Sequence, residues 1–159
     1  MTTVPTVEQR LESLEREVAE LQAKDAIREL AAVYQRGCDG GWDGGTHRDP
    51  DALTALFAQD AVYALPGMPE ARGHDEIRAL FGRLQSIPWI IHYVANSIIE
   101  VEGDTARGDV KGSAALFRDG EHRTLTFGTY HGRFSRTRGH WLFAEWRYVR
   151  AQQPGAATD

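Results

Sequence analysis

Three side chains in this sequence have types suited to moving a proton between carbon and oxygen: Tyr34, Asp39 and His92. A neutral imidazole is a good base near neutral pH, and a carboxylate bonded to one ring nitrogen fixes its tautomer and stabilises the imidazolium that forms. A nearby phenol can donate a hydrogen bond to a carbonyl or to a departing oxygen. Together the three suit proton abstraction beside a carbonyl, followed by loss of a leaving group or return of the proton elsewhere. Each also has an ordinary structural role. A helical tyrosine packs in a core, an aspartate before Gly40-Gly41 serves as a turn or cap residue, and a histidine among Ile90, Ile91, Tyr93 and Val94 sits in an apolar strand.

The elements that must position these groups follow from apolar spacing. Thr6 and Gln9 form a capping-box pattern, and Val7, Leu11, Leu14, Val18 and Leu21 then repeat at steps of four and three. This seam is close to a short coiled coil, and reads either as a helix packing on its own domain or as a dimer contact. It loses phase at Lys24-Asp25, where a second helical pattern begins. Ile27, Leu30, Ala31, Tyr34 and Cys38 share one face of that helix. Asp39 then falls at its C-terminal edge, where the helix dipole disfavours a carboxylate without a positive partner, and His92 is the candidate. Gly37 and Gly40 to Gly45 end the helix and build a loop containing His47. Pro50 opens a short helix with Leu53, Leu56 and Phe57 on its face.

Residues 61–65 read as a strand, followed by a Pro/Gly turn and a helix over 75–84 with Ile77, Leu80, Phe81 and Leu84 inward. Four extended segments follow, at about 89–101, 105–118, 122–135 and 141–151, with short turn-forming gaps at 102–104, 119–120 and 137–139. Helices followed by an antiparallel meander predict an α+β domain over residues 7–151, between a disordered lead (1–6) and a flexible tail (152–159). A strongly curved sheet wrapping helices leaves a cone-shaped cavity, a natural small-molecule site.

Period-two alternation places Asn96 on the face of His92, and Trp146, Tyr148 and Arg150 on one face of the last strand. Arg150 is a candidate for holding an anionic group or polarising a carbonyl. Tyr130 and His131 point to opposite faces, and Trp89 is placed to wall the mouth of the pocket. The six histidines show no close-spaced ligand motif, so no metal is expected. The glycine run follows a helix rather than opening one, which argues against a nucleotide cradle, and no serine elbow is visible. No cofactor is expected.

A net charge of −5 leaves no basic footprint for nucleic acid and no polybasic membrane patch. Cys38 is the single cysteine, which excludes an internal disulfide and fits a reducing cytoplasm. With no long apolar run at the N-terminus, neither a signal peptide nor a membrane span is expected.

Several segments carry a resemblance over roughly residues 7 to 150. They are Asp25-Ala26-Ile27-Arg28-Glu29-Leu30 running into Tyr34 and Asp39, Leu56 to Val62, Ile91 to Asn96, Gly103 to Ala106, and Trp141 to Arg150. The chain resembles the SnoaL-like branch of the nuclear-transport-factor-2-like superfamily. It looks nearest to the bile-acid 7α-dehydratase type, with scytalone dehydratase and hexachlorocyclohexane dehydrochlorinase as more distant relatives. The resemblance implies a cone-shaped, helix-backed barrel of mostly antiparallel strands and cofactor-independent lyase chemistry by an Asp–His pair. By the same resemblance Asp39 is the acidic partner, His92 the base, Tyr34 the pattern's tyrosine and Arg150 its late arginine. The second carboxylate of the bile-acid type falls near Ala114 here, a departure that bears on substrate and on dehydration itself. The expected substrate is a small hydrophobic or polycyclic carbonyl compound, and the expected assembly a homodimer or higher homo-oligomer. An isomerase or polyketide-type cyclase would use the same residues. The fold also serves non-catalytic binding modules, and an epoxide hydrolase would need an Asp–Arg–Asp set that is not evident.

Overall fold

The computed structural model describes residues 5–40, 49–118 and 122–151. The lead at 1–4, Gly41 to Gly45 with His47, the expected turn at Asp119-Gly120 and the tail from Gln152 lie outside the described residues.

The chain opens with one helix, α1 (Val7–Cys38), rather than the two expected. Thr6 Oγ1 accepts from the Gln9 backbone N–H at 3.2 Å while Gln9 Oε1 accepts from the Thr6 N–H at 2.9 Å, closing the capping box. No proline occurs in the helix, and its only glycine is Gly37, so nothing in the backbone breaks at the phase change. The change moves the apolar stripe instead. Residues 5–22 carry no buried side chain, whereas Ala23, Ile27, Leu30, Ala31, Tyr34 and Cys38 are buried in the core.

After α2 (Pro50–Thr54), strand β1 (Phe57–Ala64) starts four residues earlier than its alternation suggested, so Leu56 and Phe57 leave the short helix. The two-residue strand β2 (Ala71–Arg72) was not anticipated. Helix α3 (Gly73–Leu84) buries Ile77, Leu80, Phe81 and Leu84. Strands β3 (Trp89–Glu102), β4 (Thr105–Arg118), β5 (His122–Thr137) and β6 (His140–Arg150) form the meander. Arg138 and Gly139 both take positive φ, 52° and 84°, which suits the tight turn joining β5 to β6.

The sheet has six strands in the order β2-β1-β6-β5-β4-β3, antiparallel except for the β1–β6 pair. It is open rather than a closed barrel, because β2 and β3 are its two edges and do not pair with each other. The exposed polar backbone of an edge strand needs cover. At β3 the end of α1 supplies it: Gly40 N–H donates to Ile90 C=O at 2.9 Å, and His92 N–H donates to Asp39 Oδ1 at 2.8 Å. Helices α1 and α3 fill one face, around a core that includes Tyr34, Phe57, Phe81, Phe134, Phe143 and Trp146.

Candidate active site

Asp39 reaches β3 because it ends α1 in extended geometry (φ −70°, ψ 145°) while its own N–H still donates to Gln35 C=O. Its Oδ1 atom then serves two groups of one residue, the backbone N–H of His92 and, at 2.8 Å, the ring Nδ1. A carboxylate only accepts, so Nδ1 carries the proton and Nε2 is left as the basic ring atom. Both side chains are largely shielded, at 9% exposure for His92 and 13% for Asp39. The positive partner that the helix dipole called for is thus the imidazole when it takes up a second proton.

His92 lines a cavity of about 120 Å³ between the concave face of the sheet and the helices. Tyr34 and Tyr63 border it from the core side, Leu65, Met68, Leu84 and Ile87 supply apolar wall, and Tyr130 and Tyr148 form a third side. Ala114 lies directly across from His92 in the β3–β4 register and Thr126 across from Ala114 on β5, so the row beside the histidine is small and uncharged. No carboxylate lines the cavity among the described residues.

The hydroxyls of Tyr34 and Tyr63 are 2.5 Å apart. One phenol donates to the other, and Tyr34 also hydrogen-bonds with Tyr130 and Cys38, so the pair belongs to a buried cluster of donors. Burial pushes the Tyr34 phenol well above its usual range, with Tyr63, Cys38 and Tyr130 adding to the effect. Burial likewise raises Tyr63, Tyr130 and the Cys38 thiol. Groups held neutral in this way act as hydrogen-bond donors rather than bases. Tyr63 is the member of this arrangement that sequence reasoning missed. It lies in an alternating strand whose inward residues all read alike as core, so no local signal marks its hydroxyl.

The other candidates divide. Tyr130, Tyr148 and Arg150 border the cavity, with Arg150 exposed at its rim and Tyr148 Oη 3.4 Å from Thr126 Oγ1. Trp146 does not border it: its ring is stacked on Tyr130 at 4.7 Å within the core, and its Nε1 has no hydrogen-bond partner. Trp89 packs edge-on against Phe117 at 4.4 Å, away from the cavity wall. Asn96 is exposed. A bulge between Ala95 and Ile98 inserts one residue into β3, with Asn96 at φ 50°, and the alternation that links it to His92 fails there. His131 faces the other side of the sheet, where its Nδ1 is 2.7 Å from Asp109. No group of three or more metal-ligating side chains occurs among the described residues. Among them, too, no helix is long and apolar enough to cross a membrane.

An open, curved α+β sheet closed over a small cavity by helices is the architecture of cone-shaped small-molecule proteins. The chain belongs to the SnoaL-like domain family, whose model matches residues 19–147. Solved structures share the fold. A candidate scytalone dehydratase from Novosphingobium aromaticivorans is 19% identical, with a TM-score of 0.73 over 87% of this chain and 91% of that one. Hexachlorocyclohexane dehydrochlorinase LinA-type3 from Novosphingobium barchaimii LL02 is 20% identical, with a TM-score of 0.70 over 87% and 95%. An NTF2-like protein of cystatin-like fold from Novosphingobium aromaticivorans is 24% identical, with a TM-score of 0.70 over 98% and 95%. No curated protein matches the sequence.

Proposed function

We propose that this protein is a cofactor-independent lyase acting on a small hydrophobic carbonyl compound. The observation that carries the reading is the 2.8 Å contact of Asp39 Oδ1 with His92 Nδ1, in a ring that lines an apolar cavity. Nε2 of His92 takes the proton α to the carbonyl, and Asp39 stabilises the imidazolium. A hydroxyl of the Tyr34–Tyr63 pair donates a hydrogen bond to the developing enolate oxygen and keeps its proton. The proton on Nε2 then leaves with the β-substituent. With no second carboxylate in the wall, His92 serves as both base and acid.

The cavity's size favours a single ring over a polycyclic skeleton. A void of about 150 Å³ accommodates benzene, whereas sites for drug-sized ligands run to about 300–1,000 Å³. The names of two fold relatives, a dehydratase and a dehydrochlorinase, support elimination. One-base chemistry also suits an isomerase, which would return the proton to another carbon and keep every heavy atom.

The test incubates single-ring β-hydroxy and β-chloro ketones with the protein in heavy water and follows them by NMR. Loss of the β-group is the expected result, with deuterium entering the α-carbon of unreacted ketone wherever the enolate is reprotonated before the group departs. His92→Ala abolishes both, and Asp39→Asn slows them by about 10²–10⁴-fold with the fold retained. A rearranged product that keeps the β-group and every other heavy atom identifies an isomerase. Binding without any exchange, unchanged by either substitution, would refute the enzyme reading.

A further inference from the structure

Helix α1 carries two apolar stripes, and the domain covers only one. The buried stripe, including Ile27, Leu30 and Tyr34, belongs to its C-terminal half. The N-terminal half presents Val7, Leu11, Leu14, Val18 and Leu21, which are 85%, 55%, 55%, 50% and 64% exposed. At about 3.6 residues per turn the two stripes lie roughly 180° apart around the helix axis. The domain therefore sits on the far side of the helix from the exposed seam, and folding the chain further onto itself would not cover it.

We infer that this seam is the interface of a parallel, in-register two-stranded coiled coil between two copies of this chain. The four-three spacing assigns Leu11 and Val18 to position a and Val7, Leu14 and Leu21 to position d of a heptad. Position g then holds Arg10, Glu17 and Lys24, and position e holds Glu8, Glu15 and Gln22. In a parallel pair, each g residue faces the e residue five positions later on the other helix. Arg10 meets Glu15 of the partner subunit, twice by symmetry, and Glu17 meets an uncharged glutamine. An antiparallel pair that keeps the a–d layers from Val7 to Val18 also sets Arg10 against Glu17, but it sets Glu8 against Glu15 twice. The parallel pair carries the attraction without that repulsion, so charge favours the parallel arrangement.

The geometry of the fold agrees. Because each domain hangs from the side of its helix opposite the seam, two domains at the same end of a parallel pair lie on opposite flanks of the coil. The seam spans little more than two heptads, fewer than a free coiled coil usually needs. Here the helix is already nucleated by its packed C-terminal half and its capped N-terminus, so association does not bear the cost of forming it.

Sedimentation equilibrium of the full chain over a concentration series tests the inference. The wild type is expected to be a dimer, and Leu14→Glu with Val18→Glu should weaken it by about a hundredfold or more while the far-UV spectrum of the domain is kept. Arg10→Glu or Glu15→Arg alone should weaken it by roughly three- to tenfold, and the two together should restore it. A monomer at every concentration overturns the inference. A dimer indifferent to the seam substitutions also overturns it, and would point to the outer sheet face around Tyr93 and Phe127. Tightening by either Arg10→Glu or Glu15→Arg overturns the parallel arrangement.

Discussion

The tyrosine pair shows how much a single hydroxyl decides. Tyr34 and Tyr63 are each 1% exposed, so neither hydroxyl has water as a substitute partner. Tyr63→Phe deletes the 2.5 Å contact while Tyr34 keeps its hydrogen bonds with Tyr130 and Cys38, and is expected to cost about 0.5–1.5 kcal/mol in urea unfolding. Adding Tyr34→Phe removes those remaining hydrogen bonds and should cost a further similar amount, while turnover falls because the donor to the enolate is gone. Unchanged turnover in the double variant would assign the pair to packing alone. Asp39 illustrates the same economy of atoms. One carboxylate oxygen satisfies a strand-edge N–H and aligns the ring attached to it, so the placement of the histidine and the capping of the edge are a single event.

At the scale of elements, the cavity depends on where the strands lack side chains. A Cβ at Gly128 would sit 2.2 Å from Val149 O and 2.7 Å from the Tyr148 ring, and one at Gly112 would sit 2.7 Å from the Tyr130 ring. These glycines let two aromatic rings lie close against the sheet and shape the wall opposite His92. Gly128→Ala is therefore expected to destabilise the fold by about 1–3 kcal/mol, read by thermal or urea melting, and to displace Tyr148 from the cavity. An unchanged melting curve would mean that both the Val149 carbonyl and the Tyr148 ring give way at no cost. The bulge in β3 works at this scale too: with two residues of β3 opposite one of β4, Ile99 faces inward although His92 also does. Period-two reading carries no information across such an insertion, which is why Asn96 was misplaced and His92 was not.

For the molecule as a whole, four buried acids set an alkaline limit. The phenols of Tyr34, Tyr63 and Tyr130 and the Cys38 thiol all have folded-state pKa values raised by burial. Above about pH 10 the unfolded chain releases these protons while the folded chain holds them. The unfolded state then binds fewer protons, so stability falls with rising pH, by about 1.4 kcal/mol per pH unit for each phenol. The stabilisation is fully present below the unfolded pKa and is lost toward the folded one. Phenolate absorbance at 295 nm from these three tyrosines should appear only together with loss of the far-UV signal. Reversible titration near pH 10 with the fold intact would contradict their burial. The one-dimensional facts of the chain were readable without coordinates. Apolar periodicity marked the helical and extended segments, and the turn residues of the last hairpin marked its joint, because these depend on neighbours a few positions away. Residue types and patterning also gave the α+β class and the expectation that Asp39, His92 and Tyr34 belong together, and the resemblance added the family. Other features depend on residues far apart in sequence. They are the continuity of α1 through its change of stripe, the open edges of the sheet, the partnership of Tyr34 with Tyr63, and the division of the cavity residues from Trp146, Trp89 and Asn96. Each follows from which surfaces meet once the sheet curves over the helices, and local spacing leaves that choice open because packing, register and burial are properties of the assembled molecule.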